Sequence, residues 1–596
     1  MDNFRFSTGC PAKPSKLTMP YKGKKRKLIL AIDIGTTYSG VSFCLLEPGL
    51  VPEISFVTRY PGQLHGGDGK VQSFVFYDRD GNVKAAGAEA TQDEVEREAE
   101  DNSWMLAEWW KLHLQESCHL ESIPPLPPHK NPLEILTDFI RYIYSCAKNY
   151  LIELWGDSTS WDSIEDAIEI VLTHPNSWED AVQQQLRQAI VRAGVLPDDQ
   201  DGHSRTHLLT EGEACLHHCI KNLPIKLRAD LKNVVIADAG GGTVDFSSYT
   251  TARGGKISPT ARFREVAIPK SVLAGSIHVT KAFEKYVRKH LAGTRYEGGI
   301  DRVTREFDKT AKLRFRDNSQ TFYINFASTT DDDETLGISR GQLKVSGAVA
   351  ELFFAPALAL VIDALDSQID EAQALSDKVI QAVFLVGGFA GNEWLYTGIK
   401  SHLEQKGIDL FRPDSHTNKA TPHGALIYYL DNFVTGRLAR WTYGTDCDPI
   451  YNREDPEHQK RKNSSYEDLS GHLYLKHGFG VILPQFTRVE HNKLFSCSVV
   501  RENKRKEALE IITVRILAYR GGEQYPRWTD VEHDKWRVVG EIEVDTSTVA
   551  KTLRPLRGPF GTYFEIELNV MLDFSLTELK AFVQWEEKGK LKRHGS

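Results

Sequence analysis

Leu28-Ile29-Leu30-Ala31-Ile32-Asp33-Ile34-Gly35-Thr36-Thr37-Tyr38-Ser39 opens as an almost unbroken apolar run and closes on an aspartate, a glycine and two threonines. An uninterrupted apolar segment of this length reads as a strand buried on both faces, and the small polar residues after it read as a tight turn. Val41, Phe43 and Leu45 then alternate with small or polar residues, as a returning strand does. The chain repeats this design once. Val234 to Tyr249 is again an apolar strand, a turn Asp238-Ala239-Gly240-Gly241-Gly242-Thr243 and a strand. Two such echoes predict two structurally related halves facing one cleft. A third apolar strand, Ala382 to Val386, runs into Gly387-Gly388, with helical spacing from Trp394 onward.

Working outward, helical spacing is expected around 89–114, 133–154 and 179–194, with Pro124, Pro125, Pro127 and Pro128 as a break. Residues 1–26 mix Pro, Ser, Lys and Gly without period and read as a disordered tail. Beyond Cys447 the texture changes to a polar stretch followed by alternation at Ile512, Val514, Ile516 and Ala518, and again at Ile566, Leu568, Val570 and Leu572. The expected class is α/β: a two-lobed domain over 27–445, then a β-sandwich over 446–596.

Composition narrows the function. The 596 residues are 41% apolar and 26% charged, an ordinary globular mixture, and 73 basic against 81 acidic residues leave a net charge of −8. That balance offers no general attraction to nucleic acid or to anionic lipid. No apolar run approaches the ~18 residues of a membrane span. Eight scattered cysteines imply a reducing, cytoplasmic setting, and the basic run Lys22 to Lys27 reads either as a basic edge before a strand or as a nuclear address.

The two turns carry chemistry of one kind. Asp33 and Asp238 end their strands where a carboxylate holds a metal-bound water, and Asp245 follows close by. Gly35, Thr36, Thr37, Gly240, Gly241, Gly242 and Thr243 expose backbone N–H groups and hydroxyls without a Cβ in the way of phosphate oxygens. Two facing phosphate cradles with carboxylates between them suit a triphosphate and Mg²⁺. The Gly387-Gly388 turn is where a backbone can approach a nucleoside.

These residues resemble the actin-like ATPases, and within them the 70-kDa heat-shock chaperones. Ala31 to Ser39 (AIDIGTTYS) is similar to that family's first phosphate motif and Asp238 to Asp245 (DAGGGTVD) to its second. Val386 to Gly388 resembles the start of the adenosine motif, His174-Pro175 the connecting segment, and Glu211 to Ala214 a Glu-Pro-x-Ala site. Trp110-Lys111-Leu112 and the end of the first domain at Arg437, Arg440, Tyr443 and Gly444 look like the divergent branch without a helical lid.

The resemblance implies an ATP/ADP and Mg site. Asp33, Glu211, Asp238 and Asp245 would arrange the metal and its waters, with Asp33 and Asp238 acting through water, and Lys111 would position the attacking water. Tyr38, Gly275, Lys312, Gly387, Gly388 and Phe389 would contact the nucleotide. An unfolded polypeptide or client would bind the C-terminal part, with a co-chaperone or nucleotide-exchange factor as a further partner.

Three departures stand against a full match. Phe389-Ala390-Gly391-Asn392 lacks the family's arginine, Lys312 is the only match in Asp308 to Leu313, and the acidic linker after Gly444 is missing. Two other functions therefore stay open: a nucleotide-sensing scaffold with little hydrolysis, and a small-molecule kinase. A surface-helix lysine is the alternative reading of Lys111. Cys215, Cys219, His217 and His218 have helical spacing, but without a second ligand pair they read as a packed helix, and Trp104, Trp109 and Trp110 read as buried packing.

Overall fold

The computed structural model describes residues 19–63, 69–114, 123–178, 180–222, 231–252, 262–413, 417–432, 434–490, 493–573, 579–587 and 589–595. Cys10, Cys118 and the first eighteen residues of the expected tail lie outside them. The fold is mixed α/β, and the chain divides into two compact units, residues 1–434 and 435–596.

The first unit is built on two sheets of the same plan. In one, the strands run in the order Ser55–Phe56, Tyr38–Leu46, Lys27–Ile34, Ile168–His174 and Thr206–Thr210. The first three are antiparallel and the last three parallel. In the other the order is Phe263–Val272, Val244–Thr251, Asn233–Ala239, Ala382–Val386 and Asp409–Phe411, with the same mixture of directions. The register repeats as well: Asp33 stands opposite Gly40 and Asp238 opposite Asp245.

Strand alternation explains the unbroken apolar runs. Leu28, Leu30, Ile32 and Ile34 enter one core, and Ile29 and Ala31 another on the opposite face. In the second sheet Val235, Ala237 and Ala239 pack outward, while Val234 and Ile236 pack inward. The inward faces of both sheets meet residues of two helices, Glu211–Asn222 and Ala420–Leu430. These helices cross closely enough that a Cβ on Gly424 would lie 1.8 Å from the Ala214 carbonyl oxygen. Asp33 and Asp238, each two residues beyond an inward-facing neighbour, fall on this same inner side.

Helices Pro132–Trp155 and Asp180–Arg192 occupy two of the expected segments. The first opens with a capping box, in which the Asn131 side chain and the Glu134 side chain each accept from the other residue's backbone N–H. The third expectation, a helix over 89–114, is corrected. Only Asp93–Asn102 is α-helical, because Ser103 takes a left-handed φ of 56° and ends it. Strand Met105–Ala107 and a 3₁₀ turn, Trp110–Leu114, follow. The periodicity came from aromatic residues outside any α-helix, of which Trp110 is fully covered while Trp104 and Trp109 are half-buried.

Tyr21 exchanges backbone hydrogen bonds with Gly49 and Leu50, so the last residues of the expected tail belong to the first unit. Among the described residues one helix, Gly347–Ser376, is long and apolar enough to cross a membrane by length and composition. It interrupts its apolar stretch with Glu351 and Asp363, and Phe353, Phe354, Val361, Leu365 and Ile369 lie in the core.

Among the described residues the second unit has two larger antiparallel sheets beside the short pair Ser465–Glu467 and Leu473–Leu475. One runs Phe479–Leu483, Thr442–Asp446, Ile511–Tyr519 and Trp536–Asp545, and the other Leu494–Asn503, Gly561–Asp573, Lys580–Glu587 and Lys590–Gly595. Val514, Ile516 and Val544 from the first share one core with Val499, Leu568, Val570 and Val583 from the second. The boundary expected near 445 falls eleven residues earlier, after Val434. The reason is Thr442–Asp446, which pairs on both edges inside the second unit's first sheet.

Candidate functional site

The two glycine and threonine turns touch. A Cβ on Gly241 would stand 2.3 Å from Thr37 Oγ1, and one on Gly242 would stand 2.7 Å from Thr36 Oγ1 and 2.8 Å from Leu112 Cδ2. Only glycine permits this approach. The second turn is seated on the start of helix Ser276–Leu291: the amides of Gly275, Ser276 and Ile277 donate to the carbonyls of Gly242, Gly240 and Gly241 at 3.1, 3.2 and 2.9 Å. Each trans peptide sets its N–H opposite its C=O, so the amides of Gly241, Gly242 and Thr243 are directed away from that helix. Gly275 is itself obligatory, since a Cβ there would lie 2.3 Å from the Gly241 carbonyl oxygen.

The first turn is held from below by Ser73. Its hydroxyl donates to the Gly35 carbonyl at 2.8 Å and its amide to the Thr37 carbonyl at 2.9 Å, while Trp110 Nε1 donates to the Ser73 carbonyl. Tyr38 leaves this turn and is half exposed.

Four carboxylates and two ammonium groups gather behind the turns. Asp33 takes the Thr173 hydroxyl on Oδ1 at 3.0 Å and the Lys70 ammonium on Oδ2. Asp238 takes the Cys215 thiol at 3.2 Å and the Thr421 hydroxyl at 3.4 Å, both on Oδ2. Asp245 takes the Thr243 hydroxyl at 2.7 Å and the Asn176 amide at 3.1 Å. Glu211, first residue of its helix, takes Lys111 at 2.8 Å, and that ammonium also lies 5.2 Å from the centre of the Trp178 ring. Lys111 is buried, so it is not a surface-helix lysine.

Burial sets the protonation of this cluster. Loss of hydration pushes Asp238 up to about 6, helped by Asp245 and Asp33 and opposed by the Cys215 thiol. The same cause raises Glu211 against the pull of Lys111, and raises Asp245. Burial also holds the Cys215 thiol far from ionisation, so it serves Asp238 as a donor, and lowers His174 to about 4, which keeps its imidazole neutral beside Lys111. Among the described residues no group of three or more His, Cys, Asp or Glu side chains is placed to hold a metal ion.

The turn expected to approach a nucleoside is less complete. Gly387 has a φ of +93°, and a Cβ on it would fall 2.4 Å from both the Ala239 carbonyl oxygen and Asp238 Oδ1, so it fixes the strand end against the carboxylate. Gly388 faces open space. Lys312 is buried with its ammonium on Asp308 and on Thr280 Oγ1, and Asn392 Nδ2 ties down its carbonyl at 2.9 Å. Phe389 packs into the apolar core.

The expected residues Asp33, Gly35, Thr36, Thr37, Lys111, Glu211, Asp238, Gly240 to Thr243, Asp245, Gly275 and Gly387 are thus brought together at the two turns. Lys312 and Phe389 direct their side chains to Asp308 and Thr280 and to the core, and Tyr38 is half exposed. Lys70, Thr173, Asn176 and Thr421 also touch the cluster and carried no motif in the sequence, and Cys215 joins them, singled out in the sequence only for its helical spacing with Cys219. Asn176 directly follows the His174-Pro175 pair, which is the nearest thing to a signal. A scan against models of protein families finds no match for this chain, and no curated protein matches it.

Proposed function

We propose that the chain binds ATP and hydrolyses it slowly with Mg²⁺, as an actin-like, 70-kDa heat-shock-type ATPase domain followed by a substrate-binding β-sandwich. The observation that carries this reading is the pair of repeated strand-turn-strand units. Their glycine and threonine turns meet at Gly241–Thr37 and Gly242–Thr36, with Asp33 and Asp238 on the same inner side. The amides of Gly241, Gly242 and Thr243 and the hydroxyls of Thr36 and Thr37 are the groups that would hold phosphate oxygens. Asp33, Asp238, Asp245 and Glu211 would hold Mg²⁺ through water, and that ion supplies neutralisation of phosphate charge.

The residues then divide the work. Thr173, Cys215 and Thr421 orient the Asp33 and Asp238 carboxylates by donating to them. Lys111, fixed by Glu211 and by the face of Trp178, supplies positive charge and orients the attacking water. Trp110 and Leu112, on either side of it, keep bulk water from that end of the cleft. In-line displacement on phosphorus needs positioning and charge far more than covalent chemistry, which suits such a constellation. The second unit, with two sheets over one core, would carry polypeptide or client, with exchange factors or co-chaperones acting on the first.

A second reading, a nucleotide-sensing scaffold with little turnover, is favoured by the Lys111–Glu211 pair, which ties the candidate lysine to a carboxylate. Single-turnover hydrolysis of ATP by wild type and Asp238→Asn separates the two. The first reading expects slow hydrolysis that falls about 100-fold in the variant. Binding without hydrolysis in either protein selects the scaffold. No binding at all defeats both.

A further inference from the structure

Lys70 stands where the repeat of the two halves breaks. Opposite Asp238 the returning strand carries Asp245, whereas opposite Asp33 it carries Gly40. The missing side chain at Gly40 makes room for the segment that carries Lys70: a Cβ on Gly40 would lie 2.7 Å from the Gly69 carbonyl oxygen and 3.2 Å from Lys70 Cδ. The lysine is anchored behind, since Gln63 Nε2 donates to its carbonyl at 2.7 Å, and its ammonium reaches Asp33 Oδ2. Both partners are nearly enclosed, with side chains 11% and 6% exposed. One half of the site thus has two carboxylates, and the other a carboxylate with a tethered cation.

We propose that Lys70 is a positioning residue that acts as a built-in counter-cation for Asp33, which a divalent cation must displace before Asp33 can order its waters. This rests on reading the cleft as a nucleotide and Mg²⁺ site. The ammonium neutralises Asp33 beside Asp238, Asp245 and Glu211, which lets four carboxylates share one buried cluster with Lys111 as the other cation. It also sets a threshold, because the entering cation exchanges for an ion pair rather than meeting a bare carboxylate. When displaced, the tethered amine stays within the same cleft as a second positive charge for phosphate, beside Lys111.

The test uses the full chain and Mn²⁺ alone, with free Mn²⁺ followed by electron paramagnetic resonance and a parallel Mg²⁺ titration followed by thermal melting. Lys70→Met should tighten Mn²⁺ binding about tenfold or more, since an opposing charge at this range is worth at least one decade of affinity. Lys70→Arg should stay near wild type. Lys70→Gln keeps a donor for Asp33 without the charge, so it should tighten binding like Lys70→Met and guards against misfolding of the latter. Unchanged or weakened Mn²⁺ binding in both neutral variants overturns the proposal. Asp238→Asn tells the two levels apart: binding that falls there but is unmoved at Lys70 sinks only the role of Lys70. No Mn²⁺ binding to wild type or any variant sinks the cation site itself.

Discussion

Asp238 concentrates the electrostatics of the cleft in one side chain. It is buried, borders three other carboxylates and has a folded-state pKa near 6 against an ordinary value of 3.8. Its proton is therefore held more tightly folded than unfolded. The sign follows: this group stabilises the fold below pH 3.8, and that contribution is lost as pH rises through about 6. Asp238→Asn removes the charge while keeping an acceptor for Cys215 and Thr421. In chelator at pH 8 the variant should be more stable than wild type by about 1–3 kcal/mol, and the difference should vanish near pH 4. Urea unfolding at the two pH values checks it, and an unstabilised variant at pH 8 would show that Asp238 is already relieved by its neighbours. The residue scale is also where the sequence was most informative. Asp33, Asp238 and the glycines stood out because strand ends and small turns leave a mark in composition. Lys70 and Thr421 left none, being brought in from a loop and from a helix start far along the chain.

At the scale of elements, the two inner helices join the halves. Glu211–Asn222 brings Glu211 and Cys215 to the cluster, and Ala420–Leu430 brings Thr421. Their crossing depends on Gly424, whose missing side chain admits the Ala214 carbonyl. Gly424→Ala should cost about 1–3 kcal/mol by overpacking and, on the proposed function, reduce nucleotide binding, because Glu211 and Thr421 shift together. Gly298→Ala, where a Cβ meets nothing within 4 Å, is the matched control and should be near neutral. Denaturant midpoints and nucleotide titration of both variants decide it. Helix signals over 133–154 and 179–194 were legible because an apolar stripe recurs at 3.6 residues. The segment 89–114 misled because Trp104, Trp109 and Trp110 mimic that stripe beyond the left-handed Ser103, which had already closed the helix.

For the whole molecule, the division after Val434 matters more than a boundary read from composition. A fragment spanning 435–596 keeps Thr442–Asp446 between its two sheet partners, whereas one beginning at 447 loses that strand and exposes Phe479–Leu483 and Ile511–Tyr519 to solvent along their edges. The longer fragment should unfold cooperatively and stay monomeric, and the shorter should aggregate or lack a sharp transition. Circular dichroism melts with light scattering measure both, and two equally folded fragments would show that Thr442–Asp446 is dispensable.

What the sequence by itself determined were the local things: buried strands from unbroken apolar runs, turns from glycine and threonine, the duplication of one strand-turn-strand unit, and the carboxylates at strand ends. These follow from residues adjacent in the chain, whose steric and polar preferences act over a few positions. The meeting of Gly241 with Thr37, the pairing of Lys70 with Asp33 and of Lys111 with Glu211, and the placing of Thr442–Asp446 in the second unit were decided only in the tertiary structure. Each joins residues separated by tens to hundreds of positions, so long-range packing and strand pairing, not local propensity, bring them into contact.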